Sequence, residues 1–120
     1  MTQATEPLRA LFCIGITQGF HDLPAAQAKE VMAVFIEAFR DLRGRFGITV
    51  LGTFDDDQLT VGAASGGWPW TAYILADLPD LKAAVAICDI FRSTRALDGQ
   101  LWKFARIEAR IGRQLFAGNE

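Results

Sequence analysis

Three consecutive carboxylates, Asp55, Asp56 and Asp57, lie near the middle of the chain and are the residues best suited to acid–base chemistry. Neighbouring side chains of an extended segment point in opposite directions, so at most two of the three can face one site. A carboxylate with like-charged neighbours in a partly dry site has a raised pKa and can hold a proton near neutral pH. We therefore predict that Asp55 and Asp57 are catalytic. The alternative is a solvated hairpin turn, in which Asp is common.

Aromatic side chains follow the carboxylates at a distance of about a dozen residues. Trp68 and Trp70 flank a proline, come directly after the Gly66-Gly67 pair, and are followed by Tyr73. Glycines let a backbone approach a ligand closely, and indole rings form good walls for planar molecules. We predict that both tryptophans and Tyr73 bind a substrate. The alternative is that the indoles pack in the core or at a subunit contact, where Trp is common.

Two further groups of residues could take part in chemistry. His21 is the only histidine and is predicted to act as an acid or base at the pocket mouth, the alternative being an exposed loop residue. Trp102, Phe104 and Arg106 are predicted to bind substrate, with the arginine holding a carboxylate or enolate beside aromatic rings. The alternative there is a row of ion pairs that crosses a dimer face.

Composition and the missing motifs narrow the function classes. The net charge of -2 argues against a nucleic-acid-binding protein, because such a protein requires a basic surface patch. No metal-ligand spacing, phosphate-binding loop or dinucleotide fingerprint occurs, so neither a metal site nor a cofactor is expected. The two cysteines lie in apolar runs and are predicted to be small buried residues. No apolar run reaches the ~20 residues of a membrane span and the start does not look like a leader, so we expect a cytoplasmic protein.

The elements that position these residues follow from a repeated pattern. The triplet Asp-Leu-Pro occurs at 22–24 and at 77–79, each time after a strand-like run and before an amphipathic, Ala-rich segment. The predicted strands and helices are Ala10 to Thr17, Pro24 to Arg43, Ile48 to Phe54, Trp70 to Ala76, Pro79 to Phe91 and Leu101 to Ile111, with a short strand at Leu59 to Val61. Residues 1–120 thus form one domain of β-α-β-β-α-β order, the ferredoxin-like α+β fold.

A four-stranded antiparallel sheet with both helices on one face leaves its other face uncovered. Half of the residues are hydrophobic, which is a high share for a small domain. Surplus apolar surface commonly forms a subunit interface. We therefore expect a homodimer of the dimeric α+β barrel type, in which the open sheet face is a dimer contact or a ligand cavity.

Several stretches together resemble one family. LFCIGITQ near the start, GTFDDDQ, GWPWTAYILAD and WKFARIEARIGR are similar to the small IacB-like proteins of indole-3-acetate and indole catabolism, over roughly residues 10 to 113. The resemblance implies a cofactor-free accessory role after a flavin monooxygenase. The small protein would convert an unstable indole epoxide to a hydroxy-indolinone instead of indigo-like products. The alternatives are a non-catalytic carrier for an aromatic metabolite and a cofactor-free monooxygenase.

Overall fold

Four strands form the antiparallel sheet of this protein. The computed structural model describes residues 8–62, 70–116 and 118, and it contains the strands β1 (Leu8–Ile16), β2 (Thr49–Asp55), β3 (Ala72–Leu78) and β6 (Ala105–Gly112). They pair in the order β2-β3-β1-β6, so the first and third long strands lie in the centre of the sheet. This order is that of two interleaved β-α-β units, and it confirms the predicted ferredoxin-like α+β fold.

The helices cover one face of the sheet. They are α1 (Gln18–His21), α2 (Ala25–Ala38), α3 (Leu42–Phe46) and α4 (Leu81–Ser93). Alternate residues of the strands, such as Phe12 and Ile74, meet buried residues of α2, α3 and α4 in a single core. Both alternating faces of β1 are apolar as predicted, yet only the face that carries Ala10, Phe12 and Ile14 belongs to this core.

Helix α4, the second of the two predicted helices, begins at a side-chain cap. The carboxylate of Asp80 accepts a hydrogen bond from the backbone N–H of Ala83 at 3.0 Å, which pairs one of the donors left open in the first turn of α4. Pro79 and Asp80 precede the helix, which starts two residues later than predicted because the cap residue itself is extended.

Asp80→Ala is expected to lower the free energy of unfolding by about 1 kcal/mol, the usual cost of losing such a cap. Urea denaturation measures it. Asp98→Ala is the matched control, because the Asp98 carboxylate is 84% exposed and forms only a 3.5 Å ion pair with Lys103. Equal stability of Asp80→Ala and the wild-type protein would show that this cap contributes nothing.

The helix predicted over Pro24 to Arg43 is shorter in the structure. α2 ends at Ala38, and Asp41 then takes a left-handed conformation with φ 51° and caps a separate short helix through the Gly44 N–H. The chain leaves that helix at Gly47, whose φ of 71° favours glycine. The break arises because the Asp41 carboxylate offers the backbone a local partner that competes with continued α-helix.

Two predictions about strands were wrong. Leu59 to Val61 form no strand, and β2 instead pairs directly with β3. The last strand begins at Ala105 rather than Leu101, because the chain first forms a small hairpin of Arg95–Ala96 (β4) with Gly99–Gln100 (β5) and then one turn of 3₁₀ helix at Leu101–Lys103.

Strand β2 contains a β-bulge. Its pairing with β3 skips one residue between Val50 and Gly52, so Leu51 has no opposite partner. A bulge of one residue reverses the faces on which all later side chains of the strand lie. This shift decides which side chains of β2 lie beside those of β3.

Candidate functional site

One end of the sheet collects almost all of the predicted site residues. The registers place Asp55 opposite Ala72, Ala72 opposite Ile14, and Gly15 opposite Arg106. The loop after β2, the start of β3, the end of β1 and the start of β6 therefore meet at this end. The helix α1, which ends at His21, follows β1 there. The fold thus gathers residues that are far apart in sequence, such as His21 and Arg106.

The sheet face away from the helices, called the open face below, carries the candidate site. The buried residues of α2, α3 and α4 all belong to the core on the other side. Residues that alternate with core residues along the four strands form the open face: Arg9, Leu11, Cys13, Phe54, Tyr73, Leu75, Asp77, Arg106, Glu108 and Arg110. Phe54 is 60% exposed, so this face presents apolar surface to solvent.

A tyrosine–aspartate pair is the most structured feature of the open face. The Tyr73 hydroxyl donates to Asp56 Oδ2 at 2.9 Å and lies 3.2 Å from the carbonyl oxygen of Trp70. The Phe54 ring stacks on the Tyr73 ring with centroids 4.9 Å apart and planes 26° apart. Burial, followed by the hydrogen bond to Asp56, raises the pKa of Tyr73 above its ordinary value. The hydroxyl therefore keeps its proton at neutral pH and points it at a carboxylate.

The bulge explains why Asp56 is the carboxylate that reaches Tyr73. After the skipped residue Leu51, Gly52 and Phe54 lie on the same face as Tyr73, and the next residue on that face is Asp56. The backbone N–H of Asp56 bonds to the Thr71 carbonyl at 3.0 Å, which extends the pairing of the two strands. Strict alternation without a bulge would place Asp55 and Asp57 there instead, so the sequence alone did not single out Asp56.

The two predicted catalytic aspartates have other partners. Asp55 and Asp57 are both exposed. Asp55 Oδ1 accepts a long 3.4 Å bond from the Asp57 N–H, and Asp57 Oδ1 accepts from the Gln58 amide at 3.3 Å. These are contacts within a turn. His21 is likewise exposed, and its ring lies edge-on to Phe20 with centroids 6.1 Å apart. A catalytic role of these three side chains stays a prediction.

The predicted aromatic and arginine contacts are divided among different places. Trp70 is half-buried and joins the site through its carbonyl oxygen, whereas Trp68 lies outside the described residues. Phe104 is buried in the core rather than on the face of Arg106, because the 3₁₀ turn before β6 breaks the predicted alternation. Trp102, 53% exposed, and Arg106 line a separate groove beside α4.

Charged pairs border the apolar part of the open face. Arg9 donates through two nitrogens to the carboxylate of Asp77, at 2.8 and 3.1 Å, in a partly buried pair that joins β1 to β3. Arg110 Nε lies 2.8 Å from Glu108 Oε2 on β6.

Cys13 lies between Tyr73 and Glu108 in the register. Burial raises the pKa of its thiol, which makes the Cys13 thiol a poor nucleophile.

An apolar cavity lies behind the same end of the sheet, on the helix side. It measures about 140 Å³ and is lined by apolar side chains of β1, α1 and α2, together with Thr71 and Phe104. A dry cavity of similar size in another protein binds benzene. The cavity is separated from Tyr73 and Asp56 by the sheet, so those groups cannot act on a molecule held there.

Tyr73 can be titrated without interference because it is the only tyrosine in the chain. We expect tyrosinate absorbance in the folded protein to rise with a midpoint above the ordinary value of about 10, as the raised pKa of Tyr73 requires. The contribution of this pKa shift to the free energy of unfolding is fully present below the pKa of Tyr73 in the unfolded chain. It is lost as the pH rises through the pKa of Tyr73 in the folded protein. In Asp56→Asn the midpoint should move down, because the Asp56 carboxylate is one cause of the raised pKa of Tyr73. An identical midpoint in urea-unfolded protein would contradict the burial of this hydroxyl.

Comparison with known proteins supports the fold alone. One solved structure that this protein matches, of a chlorite dismutase-like protein, has a TM-score of 0.58 at 18% sequence identity. The match covers 98% of this chain but 48% of the other, so this chain spans about half the length of the solved chain. No protein-family model matches the sequence, and no curated protein matches it either.

Two further findings concern the described residues only. No helix among residues 8–62 and 70–116 is long and apolar enough to cross a membrane. The same residues contain no group of three or more His, Cys, Asp or Glu side chains placed to hold a metal ion.

Proposed function

We propose that this protein is a cofactor-independent enzyme of aromatic catabolism that isomerises an unstable indole epoxide made by a flavin monooxygenase. The observation that carries the proposal is the Tyr73–Asp56 hydrogen bond beside the stacked Phe54 ring on an apolar sheet face. A proton donor, a proton acceptor and an aromatic platform are the three groups that such an isomerisation requires. The resemblance of the chain to the IacB-like proteins supplies the substrate class.

The reaction is a rearrangement in which no atom is gained or lost. The epoxide C3–O bond breaks, its electron pair stays on the oxygen, and Tyr73 delivers a proton to that oxygen as it becomes charged. The positive charge that develops at the benzylic C3 lies over the aromatic faces of Phe54 and Tyr73, which attract cations. Asp56 then takes the proton from C2, which gives 2-hydroxyindole and hence its keto tautomer, indolin-2-one.

The catalytic pair resets itself without a further reactant. After turnover the proton sits on Asp56 and the charge on the Tyr73 oxygen, and these two atoms are joined by the same 2.9 Å hydrogen bond. Return of the proton along that bond restores the starting state. A ring that already carries a hydroxyl would give a hydroxy-indolinone by the same steps. Because the oxygen ends on C2 rather than C3, the 3-hydroxyindole that couples to indigo-like dyes is not formed.

A second copy of the chain is proposed to cover the open face. Phe54 is 60% exposed and Leu75 37% exposed in the single chain, and a site open to water would lose its reactive intermediate to side reactions. A homodimer through this face buries both side chains and encloses the Tyr73–Asp56 pair. Sedimentation of the wild-type protein should give the mass of a dimer and that of Leu75→Lys the mass of a monomer. A wild-type monomer at all concentrations would contradict this arrangement.

The test of the function is a coupled assay with an indole-epoxidising flavin monooxygenase. Adding this protein should raise indolin-2-one and lower indigo, both measured by chromatography, without changing oxygen uptake. Tyr73→Phe should abolish the change, because the phenyl ring keeps the stacking but has no proton to give. Product ratios that do not respond to the wild-type protein would overturn the proposal, and oxygen uptake by the purified protein alone would indicate a monooxygenase instead.

The apolar cavity behind the sheet favours a second candidate, a carrier that holds an aromatic metabolite without changing it. Its wall is almost entirely apolar, and its volume of about 140 Å³ suits one small ring. Tryptophan fluorescence quenched by indole, with no turnover and no effect of Tyr73→Phe, would support the carrier over the enzyme.

A further inference from the structure

A groove between α4 and the edge strand β6 is a concave surface that the proposed function does not use. It measures about 760 Å³, within the roughly 300–1,000 Å³ typical of small-molecule sites. Its wall includes Val85, Cys88 and Arg92 of α4 together with Trp102, Arg106 and Ile111 of the last segment. It lies on the helix side and at the edge of the sheet, away from the Tyr73–Asp56 pair.

The polarity of the groove changes along its length. β3 and β6 are parallel because both pair antiparallel with β1, and α4 connects them. The helix therefore runs antiparallel to β6, and the end of α4 lies beside the start of β6. Arg92, Trp102 and Arg106 therefore occupy one end, whereas Val85 and Ile111 occupy the other. Val85 is 69% exposed and Ile111 39% exposed, so the second end is apolar and open to solvent.

The charges at the polar end favour an anion. Two guanidinium groups, Arg92 and Arg106, outnumber the one carboxylate there, Asp89. Arginine is the side chain best shaped to hold a carboxylate, through paired N–H donors. The C-terminus of α4 carries the equivalent of about half a negative elementary charge, which disfavours a bound anion. The two full positive charges of the arginines are larger than this partial charge.

The other walls of the groove favour a flat apolar body. The Trp102 indole is 53% exposed beside the two arginines and can stack on a planar ring. Small side chains, among them Ala84, Ala105 and Ala109, form the floor. Cys88 also lies there, and because burial raises the pKa of its thiol, it contributes apolar surface rather than a nucleophile.

We propose that the α4–β6 groove binds a planar aromatic carboxylic acid, with the carboxylate held by Arg92 and Arg106 and the ring stacked on Trp102. The charge, the exposed indole and the apolar far end each match one part of such a molecule. The groove shares Arg106 with the open face but does not include the Tyr73–Asp56 pair, so it needs neither the proposed isomerisation nor a dimer.

Calorimetric titration with 2-naphthoate tests the proposal, because 2-naphthamide has the same shape without the charge. The acid should bind at least 10-fold more tightly than the amide. Arg92→Gln and Arg106→Gln should each weaken binding of the acid about 10-fold and leave the amide unchanged, as expected for charge-assisted hydrogen bonds. Trp102→Leu should weaken both ligands, because both lose their stacking partner.

Matched controls show where the acid binds. Arg40→Gln removes an exposed arginine outside the groove, and Tyr73→Phe alters only the open face, so both should bind 2-naphthoate like the wild-type protein. Equal affinity for acid and amide, or full binding by Arg92→Gln, would overturn the proposal. So would loss of binding in Tyr73→Phe, or a change from dimer to monomer in Val85→Asp, which would make the groove a contact between copies.

Discussion

Asp56→Asn is expected to lower the rate of indolin-2-one formation by about 100-fold or more, the usual contribution of a general base. An amide keeps the size of the side chain and can still pair with the Tyr73 hydroxyl, but it cannot take a proton from a ring carbon. The rate is measured in the coupled monooxygenase assay at saturating epoxide supply. Unchanged sedimentation and unfolding of the variant would show that the loss is chemical.

The neighbouring aspartates provide the matched controls for Asp56. Asp55→Asn and Asp57→Asn make the same chemical change one residue away, at exposed side chains whose contacts lie within the turn. Both variants should keep their rates within about threefold of the wild-type rate, since exposed substitutions of this kind usually change free energies by no more than about 0.5 kcal/mol. If instead either variant is inactive while Asp56→Asn is active, the result would support the predicted catalytic role of Asp55 or Asp57 and contradict that of Asp56.

Phe12→Ala is expected to destabilise the protein by about 3–5 kcal/mol, the largest single effect on stability that we predict. Phe12 has no exposed surface and lies in the centre of the core between β1 and the helices. Truncating its ring leaves a cavity that the neighbouring side chains cannot fill. Urea denaturation measured by far-UV circular dichroism gives the change in free energy of unfolding.

Phe54→Ala is the matched truncation on the other face of the sheet. In a single chain the Phe54 ring is 60% exposed and buries little apolar surface. The free energy of unfolding should therefore change by less than about 1 kcal/mol at low protein concentration. If a second copy covers the open face, the cost should grow as the protein concentration rises, because the variant then also loses dimer contacts. A large cost at every concentration would contradict the exposed position of Phe54.

Much of the fold could be predicted from patterns that act over short distances. Two apolar, strand-like runs, each followed by Asp-Leu-Pro and an amphipathic segment, predicted the order of strands and helices, because alternation and helical periodicity depend on nearby residues. The hairpin after Arg95 and the buried position of Phe104 could not be read in the same way. They depend on where a turn ends, and a single 3₁₀ turn changes which face the following residues occupy.

The sequence predicted the region of the chain in which the candidate site lies, but it did not single out Asp56 as the partner of Tyr73. Proximity of the acidic and aromatic segments follows from the pairing of β2 with β3, which places Asp56 and Thr71 opposite each other. The choice among three adjacent aspartates depends on a register that the sequence does not state. Thr49, Val50 and Leu51 all suit a regular strand, and only Gly52, directly after the skipped residue, is of a type that is typical of a bulge.

The bulge at Leu51 makes the register of one short strand part of the site. A related chain with one residue fewer between Thr49 and Phe54 could keep every chemical group of this protein and the same sheet. Deleting Leu51 would remove the bulge and still leave Phe54 opposite Tyr73 and Asp56 on the same face, because the residues on both sides of the deletion keep their partners on β3. The two sets of side chains would exchange in a relative that keeps the length of β2 but pairs without the bulge. Relatives of this fold should therefore be compared by their β2–β3 register before their acidic residues are equated.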